Sequence, residues 1–331
     1  MTMTIRRRRA VQAFGAAGAA LAVPTIARAQ EPLDSLKIIV GFPAGGSADV
    51  VSRQIADKLA PNYARSAIVD NRPGAAGRIA IDALKTSSPD GRTLLLTPAS
   101  TVTVYTDIYR NLSYNPTTDL APVSLAATFV HGLAVGPMVP TEVKTLAQFG
   151  AWCKGNPDKA SCGNPGEGSF PHFLTLVMAK ALGAPVQAVP YRGGAPALND
   201  MIAGQLAALM LPDGSFLPYA QHNKIRVIAT SGAARSPFYP NVPTFAEQGV
   251  KEIVVTEWFG LFAPAASPPA VVARASDAIG KVLATTAMAE AFAKFGMVPK
   301  SSSPAELAAL IKTEAAIWGP IIRATGFKPL E

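Results

Sequence analysis

The sequence predicts an α/β fold of two lobes joined by two crossing strands. Apolar, β-branched runs alternate with amphipathic helical stretches, the pattern of mostly parallel sheets covered by helices. Two long apolar segments, "LAATFVHGLAVGP" and "IVVTEWFGLFAPAASPP", interrupt that alternation and end in proline-bearing turns. Behind a removable leader the chain still has 302 residues, too many for one ordinary core.

The leader is residues 1–29. Four arginines, Arg6 to Arg9, precede an Ala/Gly-rich apolar stretch from Ala10 to Val23, and "ARA" stands just before Gln30. This is the layout of an export signal cleaved after Ala29. The consecutive arginines and weakly apolar stretch favour twin-arginine export to the periplasm. A membrane anchor is the alternative, but 14 apolar residues fall short of the ~20 that span a bilayer. The leader holds five of the 30 Lys and Arg and no acid, so the remainder carries 25 bases against 22 acids. Its net charge is +3 rather than +8, and the pI of 9.5 is largely a property of the leader. No basic stripe is present, so nucleic acid is not an expected partner.

The first unit opens with "LKIIVGF", a buried strand, and the helix "ADVVSRQIADKLA", with Val51, Ile55 and Leu59 on one face and Arg53, Asp57 and Lys58 on the other. Ser47 is placed as its N-cap, and Asp49 complements the dipole in the first turn. "SAIVDN" is a second strand, "RIAIDALKTS" a helix entered through "RPGAAG", and "GRTLLLTPAS" a third strand. The second unit repeats the logic. "KASCGN" passes through "PGEGSFPH" into "FLTLVMAKALG", and "VQAVPY" passes through "RGGAP" into "ALNDMIAGQLA". "LAALMLPDG" and "IRVIATSG" add strands, and only helices are expected after the second crossing. The expected division is residues 30–130 plus 255–331 in lobe 1 and 131–254 in lobe 2, with a ligand cleft between them.

Each strand-to-helix turn presents backbone amides at a helix N-terminus, a natural anion site. "GFPAGGSAD" resembles part of a phosphate loop but lacks its lysine, and no partner acid for magnesium is apparent. A triphosphate is poorly served there and a carboxylate well served; the plain alternative is a turn that merely starts a helix. "NPGEGSFPH" and "YRGGAP" are similar turns in the other unit, which strengthens the binding reading.

Ser169 and His172 invite a serine-hydrolase reading, yet no Gly-x-Ser-x-Gly elbow occurs. Glu167 and Asp213 are candidate cleft acids, and Trp258 is placed in the core rather than the cleft wall. Cys153 and Cys162 are expected to close a local disulfide in an oxidising compartment, the alternative being two separate buried thiols. Two Cys and three scattered His (His131, His172, His222) offer no metal-ligand spacing, so neither metal nor cofactor is expected.

Six motifs in order resemble the Bug family of periplasmic solute-binding proteins, receptors of tripartite tricarboxylate transporters. They are "GFPAGGSADVVSRQIADKL", "VDNRPGAAGRIAIDALKTSSPDGRTLLL", "GEGSFPHF", "VPYRGGAPALNDMIAGQLAALM", "NVPTFAEQGV" and "EWFGLFAPAASPP". The resemblance runs from about Leu36 to the C-terminus. It implies a two-lobed "Venus flytrap" without catalysis that takes a small organic carboxylate to membrane permease subunits and acts as a monomer. It further implies ligand contacts from Phe42, Ala44, Gly45, Gly46, Ser47 and Asp49, joined by Ala99 and Ser100. From the other lobe it implies Gly168, Ser169 and His172, with Gly193, Gly194 and Asp213 nearby. Glu167 and the two cysteines depart from the family pattern. A hydrolase using Ser169 and His172, or a sensor presenting its ligand to a signalling protein, stands as the alternative.

Overall fold

The structure is a computed structural model describing residues 31–60, 62–220 and 225–331. The expected export leader, residues 1–29, and His222 lie outside the described residues. The chain begins with β1 (Leu36–Val40), α1 (Ser47–Leu59), β2 (Ala67–Asn71), α2 (Arg78–Lys85) and β3 (Thr93–Pro98). Two single turns, α3 (Ser100–Thr103) and α4 (Tyr105–Ile108), lead to the long β4 (Leu120–Val135). Then follow α5 (Leu146–Gly155), β5 (Ser161–Asn164), α6 (Phe170–Leu182), β6 (Gln187–Pro190), α7 (Gly194–Ile202) and β7 (Ala208–Pro212). The chain continues with α8 (Leu217–Ala220), β8 (Arg226–Thr230), β9 (Thr256–Pro264), α9 (Pro269–Leu283), α10 (Thr286–Ala293), β10 (Val298–Pro299) and α11 (Pro304–Ala324).

All ten strands belong to one mixed sheet ordered β2-β1-β3-β9-β4-β7-β5-β6, with β8 and β10 also on β4. β1 pairs parallel with β2 and β3, and β5 parallel with β6 and β7; β4 and β9 supply the antiparallel seams. The expected strand–turn–helix units are therefore present, and the expected all-helical tail carries one addition. β10, two residues long, pairs with Ala127 and Thr128 of β4.

β4 is the first crossing. Leu120 to Val130 pair with β9, whereas His131 to Val135 pair with β7 and β8, so the strand changes partners between Val130 and His131. Register shifts at Pro122/Ser124, Leu125/Ala127 and Leu133/Ala134 bend a strand of 16 residues that a flat sheet would not accommodate. The second crossing runs into the start of β9. Ser231 pins both. Its N–H donates to His131 O at 2.8 Å, its hydroxyl donates to Val255 O at 2.7 Å, and its carbonyl accepts from Val255 N at 2.6 Å.

The predicted apolar face of α1 is buried: Val51, Ile55 and Leu59 pack with Ile38, Val40 and Leu94 and with Ile279 of α9. A separate cluster centred on Leu198, Met201, Leu209 and Phe216 closes the β7 side. Trp258 is buried in the core as expected, its indole N–H shared between both Glu314 carboxylate oxygens at 3.0 Å.

The expected disulfide is not formed: Cys153 and Cys162 are both free and buried. Cys153 lies on the buried face of α5, and Cys162 on β5 has its Sγ 3.6 Å from Thr175 Oγ1. Burial pushes the two thiols up to about 11 and about 12. They behave as small hydrophobes.

Candidate functional site

A cavity of about 320 Å³ is walled by both halves of the sheet. One side is the loop Phe42–Ala48 with Pro98; the other is Pro165, Ser169, Gly193–Pro196, Leu198, Asn199 and Gly214–Ser215. The two sides meet. Ser47 Oγ lies 3.5 Å from Ser215 Oγ, and a Cβ added to Gly193 would come within 3.3 Å of Pro43 Cδ. Phe129, His131, Glu257 and Phe259 also line the cavity; they alternate along β4 and β9 and so share one sheet face.

The first loop differs from expectation in one instructive way. Ser47 is not the N-cap of α1; it is the first helical residue, and Gly46 occupies the cap position with φ −77° and ψ 166°. Gly46 has no side chain, so no side chain caps the helix, and its first-turn amides border the cavity. α7 repeats the arrangement from the opposite wall, where Gly193 at φ +107° is the N-cap, again without a side-chain cap. α6 is the contrast: Ser169 caps it, accepting from His172 N at 3.4 Å.

Of the residues named from the sequence, the structure brings Phe42, Ala44, Gly45, Gly46, Ser47, Ser169, Gly193 and Gly194 to the cavity wall. Six others stand behind it. The most informative is Asp49. Its carboxylate accepts from Gly45 N at 2.9 Å, Arg53 Nε at 3.0 Å and Asn71 Nδ2 at 2.9 Å, and Asn71 also donates to Phe42 O at 3.1 Å. Asp49 therefore holds the loop from behind instead of facing the cavity. Burial alone would raise its pKa, but the Arg53, Gly45 and Asn71 hydrogen bonds outweigh that and lower it. Gly45 sits at φ +83°, where a side chain would be strained.

Ala99 and Ser100 are buried where β3 turns into α3; Ala99 N donates to Trp258 O at 3.0 Å, and Pro98 is the cavity-lining member of that turn. Gly168 lies at φ +77°, where a side chain would be strained, and a Cβ there would meet the end of the Ile108 side chain. His172 is turned inward. Its Nδ1 accepts from Gly168 N at 3.0 Å, its ring packs against Phe173 and Phe327, and burial lowers its pKa to about 4. Ser169 Oγ donates to Gly166 O at 2.7 Å, so these two residues form a helix cap, not a nucleophile hydrogen-bonded to its base. Glu167 is exposed. Asp213 is fully buried behind the wall, and burial raises its pKa to about 6 against the opposing pull of Ser236 and the Gly214 backbone.

This chain is similar along nearly its whole length to known receptors. A family model described as tripartite tricarboxylate transporter family receptor (TctC) matches residues 51–327. Protein BugT of Bordetella pertussis is 32% identical, over 98% of this chain and 99% of that protein. The chain belongs to this receptor family. Among solved structures, R. palustris Rpa4515 with adipate superposes with a TM-score of 0.85 at 27% identity, covering 89% of this chain and 98% of that one. MatC from Rhodopseudomonas palustris with bound malate gives 0.79 at 26% identity, covering 87% and 98%. The Bug resemblance and the two-lobed α/β class stand on these matches.

Sequence reasoning missed several residues in and behind this cavity. Asn71 was legible only as the end of a strand; its role follows from β2 lying beside β1. His131 and Glu257 lie within the two crossing segments, 126 positions apart, and no local pattern links them. Their side chains meet at 2.8 Å between His131 Nε2 and Glu257 Oε2. Ser215 follows the "LPDG" turn and reaches the first loop only through the fold.

Proposed function

We propose that this chain is a periplasmic solute-binding receptor that captures a small organic carboxylate between two lobes and delivers it to membrane permease subunits. One observation carries the carboxylate reading: two helices from opposite cavity walls, α1 and α7, have glycine N-caps and offer backbone amides without a capping side chain. Amides at a helix N-terminus bind an anion through hydrogen bonds and the helix dipole. Among the described residues no lysine or arginine lines the cavity, which leaves those amides, with the lining hydroxyls of Ser47, Ser215 and Tyr219, to meet an anion. The relatives solved with adipate and malate support the same ligand class. The lobes are residues 30–130 with 255–331, and 131–254, hinged where Ser231 ties His131 to Val255. Residues 1–29 direct export by a twin-arginine-type route and are cleaved after Ala29, and the receptor acts as a monomer without cofactor or catalysis.

The test is thermal shift on refolded protein against a panel of mono-, di- and tricarboxylates. A ligand that binds only the native state raises stability by roughly 2.7 kcal/mol at a hundredfold excess over Kd. Gly46→Val keeps an allowed backbone, since Gly46 is at φ −77° and its added Cβ meets only Pro43 O at 3.4 Å. The variant should fold and lose the carboxylate-induced shift; an undiminished shift refutes the amide cradle.

A further inference from the structure

The cavity that holds the amide loop also holds an acid. Glu257 lines it with a side chain only 5% exposed. Among the described residues its one polar contact is His131, fully buried, whose Nε2 is 2.8 Å away. Phe129 packs edge-on against that imidazole, which also lines the cavity. The walls between are apolar, with Phe42, Phe129, Leu198, Leu211, Phe259 and Phe295.

A carboxylate seated on the α1 or α7 amides thus leaves the rest of its molecule in an apolar space shared with a buried, incompletely paired carboxylate. In such surroundings charges are weakly screened, so a second ligand carboxylate is repelled and a donor is attracted. We propose that Glu257 is a specificity-determining residue that selects carboxylates carrying a hydrogen-bond donor at the far end, best of all a cationic ammonium, and disfavours dicarboxylates. This rests on the carboxylate-capture reading above and names the part of the ligand that reading leaves open.

The experiment is calorimetric titration of the refolded protein with matched pairs of flexible ligands, ω-amino carboxylates against α,ω-dicarboxylates of four to eight carbons, with hexanoate as reference. The flexible series removes dependence on one ligand length. The wild type should prefer the amino member of its best pair by about tenfold or more. Glu257→Gln should cut that preference at least tenfold while leaving hexanoate within about threefold. Glu257→Asp keeps the charge and should keep the direction of the preference. A wild-type preference for the dicarboxylate overturns the inference, whether or not the variants fold. So does a preference unchanged in a folded Glu257→Gln protein. Carboxylate binding without that preference refutes the role of Glu257 alone. If no carboxylate binds at all, the capture reading fails and this inference fails with it.

Discussion

The turn into α1 and the turn into α6 look alike in sequence and differ in what they do with their amides. Both follow a strand, both are rich in Gly and Pro, and both carry a serine near the helix start. In the α6 turn the serine is the N-cap, so Ser169 consumes an amide and His172 Nδ1 takes the Gly168 N–H. In the α1 turn the serine is one residue further on, and the cap position falls to Gly46. A displacement of one residue separates a helix start that satisfies itself from one open to a ligand. Glycine content makes the loop possible, but the residue at the cap decides whether its amides stay open to an anion.

The largest test of this contrast is Gly46→Asp. Its backbone angles already suit a capping residue, so the new carboxylate should occupy the amides in place of the ligand. Carboxylate affinity should fall at least a hundredfold by titration calorimetry, while the unfolding free energy stays level or rises by a few tenths of a kcal/mol. A variant that still binds would show that the α1 amides are not the anion site.

The mirror experiment is Ser169→Ala in α6. Loss of the cap should cost about 1 kcal/mol, a fall in Tm of roughly 2–4 °C, read by calorimetry. Ligand affinity should change by less than about threefold, because the serine is bonded to its own loop. A loss of binding as large as that of Gly46→Asp would place Ser169 on the ligand and erase the contrast.

A smaller effect concerns the buried acids beneath the cavity. Burial first, and then the charge of Glu257, raise Glu314 to about 7, although its hydrogen bonds from Trp258 act the other way. The folded protein holds this proton more tightly than the unfolded chain does. The contribution of Glu314 is therefore greatest below about pH 4.5 and is lost as pH rises through about 7. Tm measured from pH 5 to 8 should fall in the wild type relative to Glu314→Gln, which retains an acceptor for the Trp258 indole. Parallel curves for the two proteins would refute the raised pKa.

The α/β class, the crossing segments and the strand-to-helix turns were legible because they rest on local periodicity and on Gly and Pro placement. The buried face of Val51, Ile55 and Leu59 is such a case, since a spacing of four residues puts them on one stripe of a helix. The loops carrying the eight named residues that reach the cavity wall were legible for the same reason, since a helix N-terminus beyond a strand is a local feature; the residues themselves were named from the family resemblance.

What surrounds them was decided by the tertiary structure. Only the pairing of β2 beside β1 gives Asp49 to Asn71 and turns it away from the cavity. Only the register of β4 against β9 brings His131 to Glu257, and only core packing keeps Cys153 and Cys162 apart as thiols. These contacts join residues distant in sequence, so their energies depend on the fold as a whole and leave no local pattern. The chain by itself determined which backbone amides could meet an anion. Tertiary packing decided which were left uncapped at a cavity, and which acid shares that cavity with them.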